Sequence, residues 1–197
     1  GGEAKRLEEL GYDGGFTFEG PHDPFFPLAL AARETTKLEL ATAIAIAFAR
    51  TPMLLATIGN DLQALSKGRF VLGLGSQIRP HIERRYSMPW SRPAARMREL
   101  VEALRAIWRC WNEGEPLDFR GDFYTHTLMT PIFDPGPLEW GPPPIWVGAV
   151  GPKLTTAVAE VADGLLLHPF HTEAFLRDHT LPLIAAAPAA GHSWPFL

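Results

Sequence analysis

Apolar positions along the chain follow two different rhythms. Short apolar runs without a helical repeat fall at 14–18, 38–48 ("LELATAIAIAF"), 69–74, 144–149 and 164–168, and read as strands. Segments with helical spacing fall between and after them, at 24–36, 52–66, 92–112, 152–162 and 172–184. Residues 3–10 read as the end of a further helix, stopped by Gly11. Asp23 is placed to cap the helix at 24, with Pro24 as its first residue. In the helix at 52–66 the expected inward face is Leu54, Ile58, Leu62 and Leu65. The helix at 92–112 shows the clearest stripe. Met97, Leu100, Val101, Leu104, Ile107, Trp108 and Trp111 oppose Arg98, Glu102, Arg105 and Arg109.

Strand and helix alternate five times. The strands are apolar on both faces, as in a parallel sheet covered by helices, so the fold class is α/β. The pattern fits an open doubly wound sheet or a (β/α)8 barrel. One segment, 113–143, interrupts the alternation with a hairpin expected to turn at Gly121-Asp122, followed by a proline-rich loop. A connection of that length is usually functional or disordered. Residues 185–197 carry no convincing element.

Composition narrows the class. The 197 residues carry a net charge of −4 with a pI near 6.0, and no basic face points to nucleic acid. The single cysteine, Cys110, sits in an amphipathic helical pattern as a small buried hydrophobe. One cysteine allows no internal disulfide, so a cytoplasmic protein is expected. No apolar run approaches the about 20 residues a membrane span needs.

In parallel α/β folds ligands sit beyond the C-terminal ends of strands. That rule selects 19–23, 48–51, 76–81, 150–153 and 168–171. Glu19 is an acid at a strand end in an aromatic context, and His22 lies three residues on. Gly148 to Lys153 place glycines directly before a helix, with Lys153, Thr155 and Thr156 adding a charge and hydroxyls. This segment is either a phosphate or ring-edge contact or a tight turn. "GLGSQ" at 73–77 holds two of the three glycines of a dinucleotide fingerprint, with Ile78 at the third, and lacks a nucleophile-elbow spacing. His168 and His171 lack a completing carboxylate, so no metal site is assigned. Asp163 reads as a turn residue. His81 with Arg79, Arg84 and Arg85 forms a basic patch, read as a solvated face or a partner contact.

Several stretches resemble the luciferase-like monooxygenase family. They are "GYDGGFTFE", "HDPFFPLALAA", "LELATAIAIAFARTPMLLA", "DLQALSKGRFVLGLGSQIRPHIERRYSMPW" and "PPIWVGAVGPKLTTAVAEVADGLLLH". They stand in family order over about 3–184 and are most similar to the subgroup that uses the deazaflavin coenzyme F420. The resemblance implies a (β/α)8 TIM barrel with the cofactor ring at its C-terminal mouth. Strands two to six would be present, and strands one, seven and eight absent. The whole chain, 1–197, would then be one partial barrel domain, consistent with a fragment.

The family's non-prolyl cis peptide would fall at Ala43-Ile44. Its cofactor contacts would fall on Ser76, Gln77, Gly148, Ala149, Val150, Gly151 and His168. Glu19 would be the acid/base or ring-orienting residue, with Gly20 where many members carry a histidine and His22 the nearest one. Gly73 and Gly75 would leave room for the cofactor. The implied function is hydride transfer between F420 and a small organic substrate. The alternatives are an FMN-dependent monooxygenase using molecular oxygen, or an inactive barrel fragment. A homo-oligomer is expected at full length, with the 113–143 insertion shaping the substrate pocket.

Overall fold

In the computed structural model, which describes residues 2–187, five long strands pair in parallel and in the order in which the chain makes them. They are β1 (Gly14–Thr17), β2 (Glu39–Thr42), β4 (Phe70–Gly75), β7 (Ile145–Gly148) and β8 (Gly164–Leu166). A two-residue strand, β3 (Ala45–Ile46), pairs with the end of β4. Five helices alternate with the sheet strands: α1 (Gly2–Glu9), α2 (Phe25–Glu34), α3 (Pro52–Ser66), α4 (Pro93–Glu113) and α5 (Pro152–Val161). An order without reversal is that of a barrel wall, since a doubly wound sheet reverses where its two halves meet. The open sheet is thereby excluded.

Alternate strand residues serve two different faces. Leu40, Phe70, Leu72, Leu74, Ile145, Val147 and Leu165 join the large core under the helices. Ala41, Val71, Trp146 and Leu166 form a separate cluster on the inner face. Register places Phe16 beside Ala41 on that inner face, where it is 65% exposed. The inner face is rich in glycine. A Cβ on Gly164 would lie 2.5 Å from the Trp146 ring, so the missing side chain is what seats the indole.

Several helix limits follow from local chemistry. The Thr51 hydroxyl accepts the Leu54 N–H at 3.2 Å, Pro52 opens α3, and Lys67 and Gly68 close it with φ of 55° and 83°. Every residue of the expected α4 stripe is buried, as is Cys110. Its opposite face is not simply solvated. Arg98 pairs with Glu160 on α5, and Arg105 bonds the Val161 carbonyl and Asp163. Asp163 in turn accepts the Ile145 N–H at 2.8 Å, which gives this turn acid a structural task.

Four expectations need correction. The inner face of α3 runs through Leu55, Gly59, Leu62 and Ser66, while Leu54 and Leu65 are about half exposed. Both faces of this helix carry leucines, so periodicity alone does not rank them. The run at 38–48 is not one strand: it breaks after Thr42, resumes as β3, and ends in a short 3-10 turn, Ala47–Ala49. Helix α2 starts one residue late, with Asp23 accepting the Phe25 N–H at 2.8 Å and Pro24 in the cap position. The final helix is three pieces: α6 (Glu173–Phe175), a wide turn over Leu176–Thr180, and α7 (Leu181–Ala186). Pro182 lacks the N–H that would continue the ladder, and the turn widens just before it.

The 113–143 segment does form a hairpin, β5 (Phe119–Arg120) with β6 (Thr125–His126). Glu99 of α4 binds it by accepting the N–H groups of Asp122, Phe123 and Tyr124 at 2.7–2.9 Å. Gly121 leaves the space that this carboxylate fills. No described helix is long and apolar enough to cross a membrane.

Candidate active site at the strand ends

The C-terminal ends of the strands form one rim because the strands are parallel and in register. Ala45 pairs with Leu74, Leu74 with Val147, and Gly148 with Leu166. The rim therefore gathers Ala43-Ile44, Ser76-Gln77 and Gly148 to Gly151, three of the segments expected from sequence.

The Ala43-Ile44 peptide bond is cis, at the position the resemblance implies. Thr42 precedes it and is fixed by β4: its hydroxyl donates to the Gly73 carbonyl at 2.7 Å and accepts the Gly73 N–H at 2.9 Å. A Cβ on Gly73 would sit 1.6 Å from the Thr42 carbonyl oxygen. A Cβ on Gly75 would sit 2.7 Å from the Ile44 side chain, and one on Gly148 would sit 3.3 Å from it. The expectation that Gly73 and Gly75 leave room for a cofactor is thus corrected. They leave room for the chain itself, so that Thr42 can approach and Ile44 can seat between Gly75 and Gly148. Ile44 is partly exposed, and it forms a wall of the rim.

Beyond β4 the backbone turns at Gln77, with φ of 60°. Its side chain accepts the Ile78 N–H at 2.9 Å, and the Ser76 hydroxyl donates to the Gln77 carbonyl at 3.1 Å. The chain then makes a wide turn over His81–Arg85. Within the basic patch, Arg79 pairs with Glu83 at 2.9 Å and Arg85 donates to the Gly20 carbonyl at 3.1 Å. That contact ties the loop after β4 to the loop after β1.

Gly151 caps α5, Pro152 is its first residue, and nothing lies within 4 Å of a Cβ at Gly151. The first turn of α5 and the exposed Lys153 suit an anionic group. This donor set fits the phosphate of a flavin or deazaflavin. His168 lies two residues past β8, is exposed, and stands 5.2 Å from the Phe170 ring and 6.0 Å from His171.

Glu19 is placed differently from a free acid at the rim. Its Oε2 accepts Arg50 Nη1 and the Ile46 N–H, each at 2.7 Å, and its Oε1 accepts the Tyr86 hydroxyl at 3.1 Å. The side chains of Glu19 and Arg50 are only 6% and 11% exposed. Arg50 also reaches Asp23 at 3.0 Å, so Asp23 serves both the start of α2 and this ion pair. Burial works against the Arg50 charge, but hydrogen bonds and charge from Glu19 and Asp23 outweigh it and hold its pKa above the usual arginine value. Burial, and then the Glu19 charge, pushes the Tyr86 phenol above its ordinary pKa. His22 is exposed in the same loop, apart from this cluster.

The strand-end rule reached Arg50 within 48–51 without giving it a role, and nothing in the sequence marked Tyr86. Arg50 stands at a strand end directly before the Thr51-Pro52 helix start, which is a usable signal. Tyr86 carries none, because its link to Glu19 exists only across 67 positions of chain.

Comparison with known proteins supplies the remaining context. The model of the family described as luciferase-like monooxygenase matches residues 2–195. An uncharacterized protein of Mycobacterium tuberculosis (strain ATCC 25618 / H37Rv) is 55% identical over 181 residues, covering 92% of this chain and 53% of that protein. A second protein of that strain, provisionally named a coenzyme F420-dependent oxidoreductase, is 32% identical over 171 residues, covering 81% and 48%. Among solved structures, a monooxygenase from Streptomyces bottropensis matches with a TM-score of 0.80 at 28% identity, covering 98% of this chain and 61% of that one. The chain spans about half the length of the curated relatives it matches. By its strand order, its rim and these matches, the chain belongs to the luciferase-like monooxygenase family.

Proposed function

We propose that the chain is part of an oxidoreductase that moves a hydride between the deazaflavin F420 and a small organic substrate. The observation that carries this reading is the rim itself. Ala43-Ile44, Ser76-Gln77 and Gly148 to Gly151 converge there, and an anion-suited helix start lies beside a partly exposed apolar wall. The 32% identity to the provisionally named F420-dependent oxidoreductase supports the cofactor choice.

A deazaflavin supplies the two-electron chemistry, and the protein supplies orientation and electrostatics. Ile44 would lie against the ring. Ser76, Gln77 and residues 148–151 would hold the phosphate-bearing tail. His168 and His22, both exposed near the rim, would contact the tail and the substrate respectively. Glu19 stands behind the ring wall. At full length we expect a homo-oligomer, a reading supported by Phe26 and Leu30, which are 76% and 58% exposed one turn apart on α2.

The second reading is an FMN-dependent monooxygenase using oxygen, favoured by the 28% identity to the Streptomyces bottropensis monooxygenase. Titration of the chain with each cofactor, followed by fluorescence quenching, separates the two. Saturable F420 binding with FMN at least about tenfold weaker, a gap of about 1.4 kcal/mol, is expected. Binding of FMN alone would overturn the first reading and support the second. Binding of neither would favour an inactive fragment.

A further inference from the structure

Three polar groups bond the short backbone stretch Ile44–Ile46, and a fourth, the Tyr86 hydroxyl, bonds the carboxylate among them. The Glu19 N–H donates to the Ile44 carbonyl at 3.1 Å, and the Glu19 carboxylate accepts the Ile46 N–H at 2.7 Å. Arg50 donates to the Ile46 carbonyl at 3.2 Å while paired with Glu19. Tyr86 closes the set from the far end of the segment that begins with Ser76-Gln77. One residue, Glu19, therefore grips the Ile44–Ile46 stretch on both sides and joins it to the loop after β4.

We propose that Glu19 is a positioning residue, with Tyr86 and Arg50 as its partners, and that its carboxylate fixes the Ile44–Ile46 backbone and hence the wall that Ile44 presents at the rim. That the wall faces a deazaflavin rests on the function proposed above. The fixing of the backbone does not.

Three donors occupy the Glu19 oxygens, and one of them is a guanidinium in a buried pair. The raised Tyr86 phenol remains a hydrogen-bond donor through the neutral range. Hydrogen bonds to a charged group are the stronger class, so removing one partner should have a visible local effect.

Hydrogen exchange read by mass spectrometry on the cofactor-free 197-residue chain tests the grip. Tyr86→Phe keeps the ring and removes one donor, so it should fold even where Glu19→Gln does not. In Tyr86→Phe, amides in 44–50 should exchange about tenfold faster, with distant segments such as α4 unchanged. Adding Tyr86→Phe to Glu19→Gln should change nothing further, because both act through one carboxylate. In parallel, F420 titration of the folded variants should show about fivefold weaker binding.

Unchanged exchange at 44–50 in Tyr86→Phe, or fully additive effects in the double variant, would overturn the proposal. Faster exchange with wild-type F420 affinity would also overturn it, since the grip would then be structural only. If the wild-type chain binds no F420, the function reading fails, and the exchange coupling between Tyr86 and Glu19 alone decides for or against the grip.

Discussion

At the scale of single residues, two glycines of β4 show how space is assigned at the rim. Gly73 meets backbone: a Cβ there would stand 1.6 Å from the Thr42 carbonyl oxygen, and backbone in a paired strand does not yield. Gly75 meets a side chain: a Cβ would stand 2.7 Å from the Ile44 atoms, which can swing aside. Gly73→Ala should therefore destabilise by about 3 kcal/mol or more, and Gly75→Ala by about 1–3 kcal/mol. Urea unfolding of both variants checks the order. Gly75→Ala equal to or worse than Gly73→Ala would contradict it. Gly75→Ala should also weaken the proposed F420 binding by displacing Ile44, an effect its modest stability loss would not explain.

Between elements, joints are made by side chains that sequence patterns do not reveal. The Glu8 carboxylate of α1 accepts the N–H groups of Thr36, Lys37 and Leu38, and so binds α1 to the turn between α2 and β2. Backbone hydrogen bonds from Lys37 and Leu38 lower its pKa from 4.5 to about 2. A carboxyl depressed in the folded state contributes stability that is present above its unfolded pKa and is lost as pH falls through the folded value. The joint should hold above about pH 4.5 and weaken toward about pH 2. Glu8→Gln should lower stability from pH 6 to 8 and flatten its fall across that window, so that the two chains converge toward pH 2. Thermal melts at stepped pH read the difference, and an identical acid limb in the variant would contradict it.

Elements with one dominant apolar stripe were legible: all seven expected inward residues of α4 are buried. Elements whose shape depends on tertiary contacts were not. The run 38–48 is apolar on either side of its break because both halves are buried, so hydropathy carries no trace of the kink after Thr42. Only the resemblance located it. The rim was legible because strand ends follow from strand limits, whereas the Glu19–Arg50–Tyr86 grip needed three loops to be in place first.

At the scale of the whole molecule, the described residues make an unclosed wall. Among them β1 pairs with β2 alone and β8 with β7 alone, so each presents an unpaired outer edge. The inner face beside them is apolar, with Phe16 and Phe18 65% and 68% exposed. In a closed barrel such positions are filled by side chains from opposite strands. Free edges next to an uncovered apolar face are what other chains pair with. The 197-residue chain in isolation should therefore self-associate, eluting earlier on size exclusion as its concentration rises and binding a hydrophobic dye. Phe16→Lys places a charge on the inner face of the edge strand without touching the helix-side core. It should shift elution toward the monomer and reduce dye binding while leaving the melting temperature within a few degrees. A wild-type chain that elutes as a monomer at every concentration and binds no dye would contradict this reading of the free edges and the inner face.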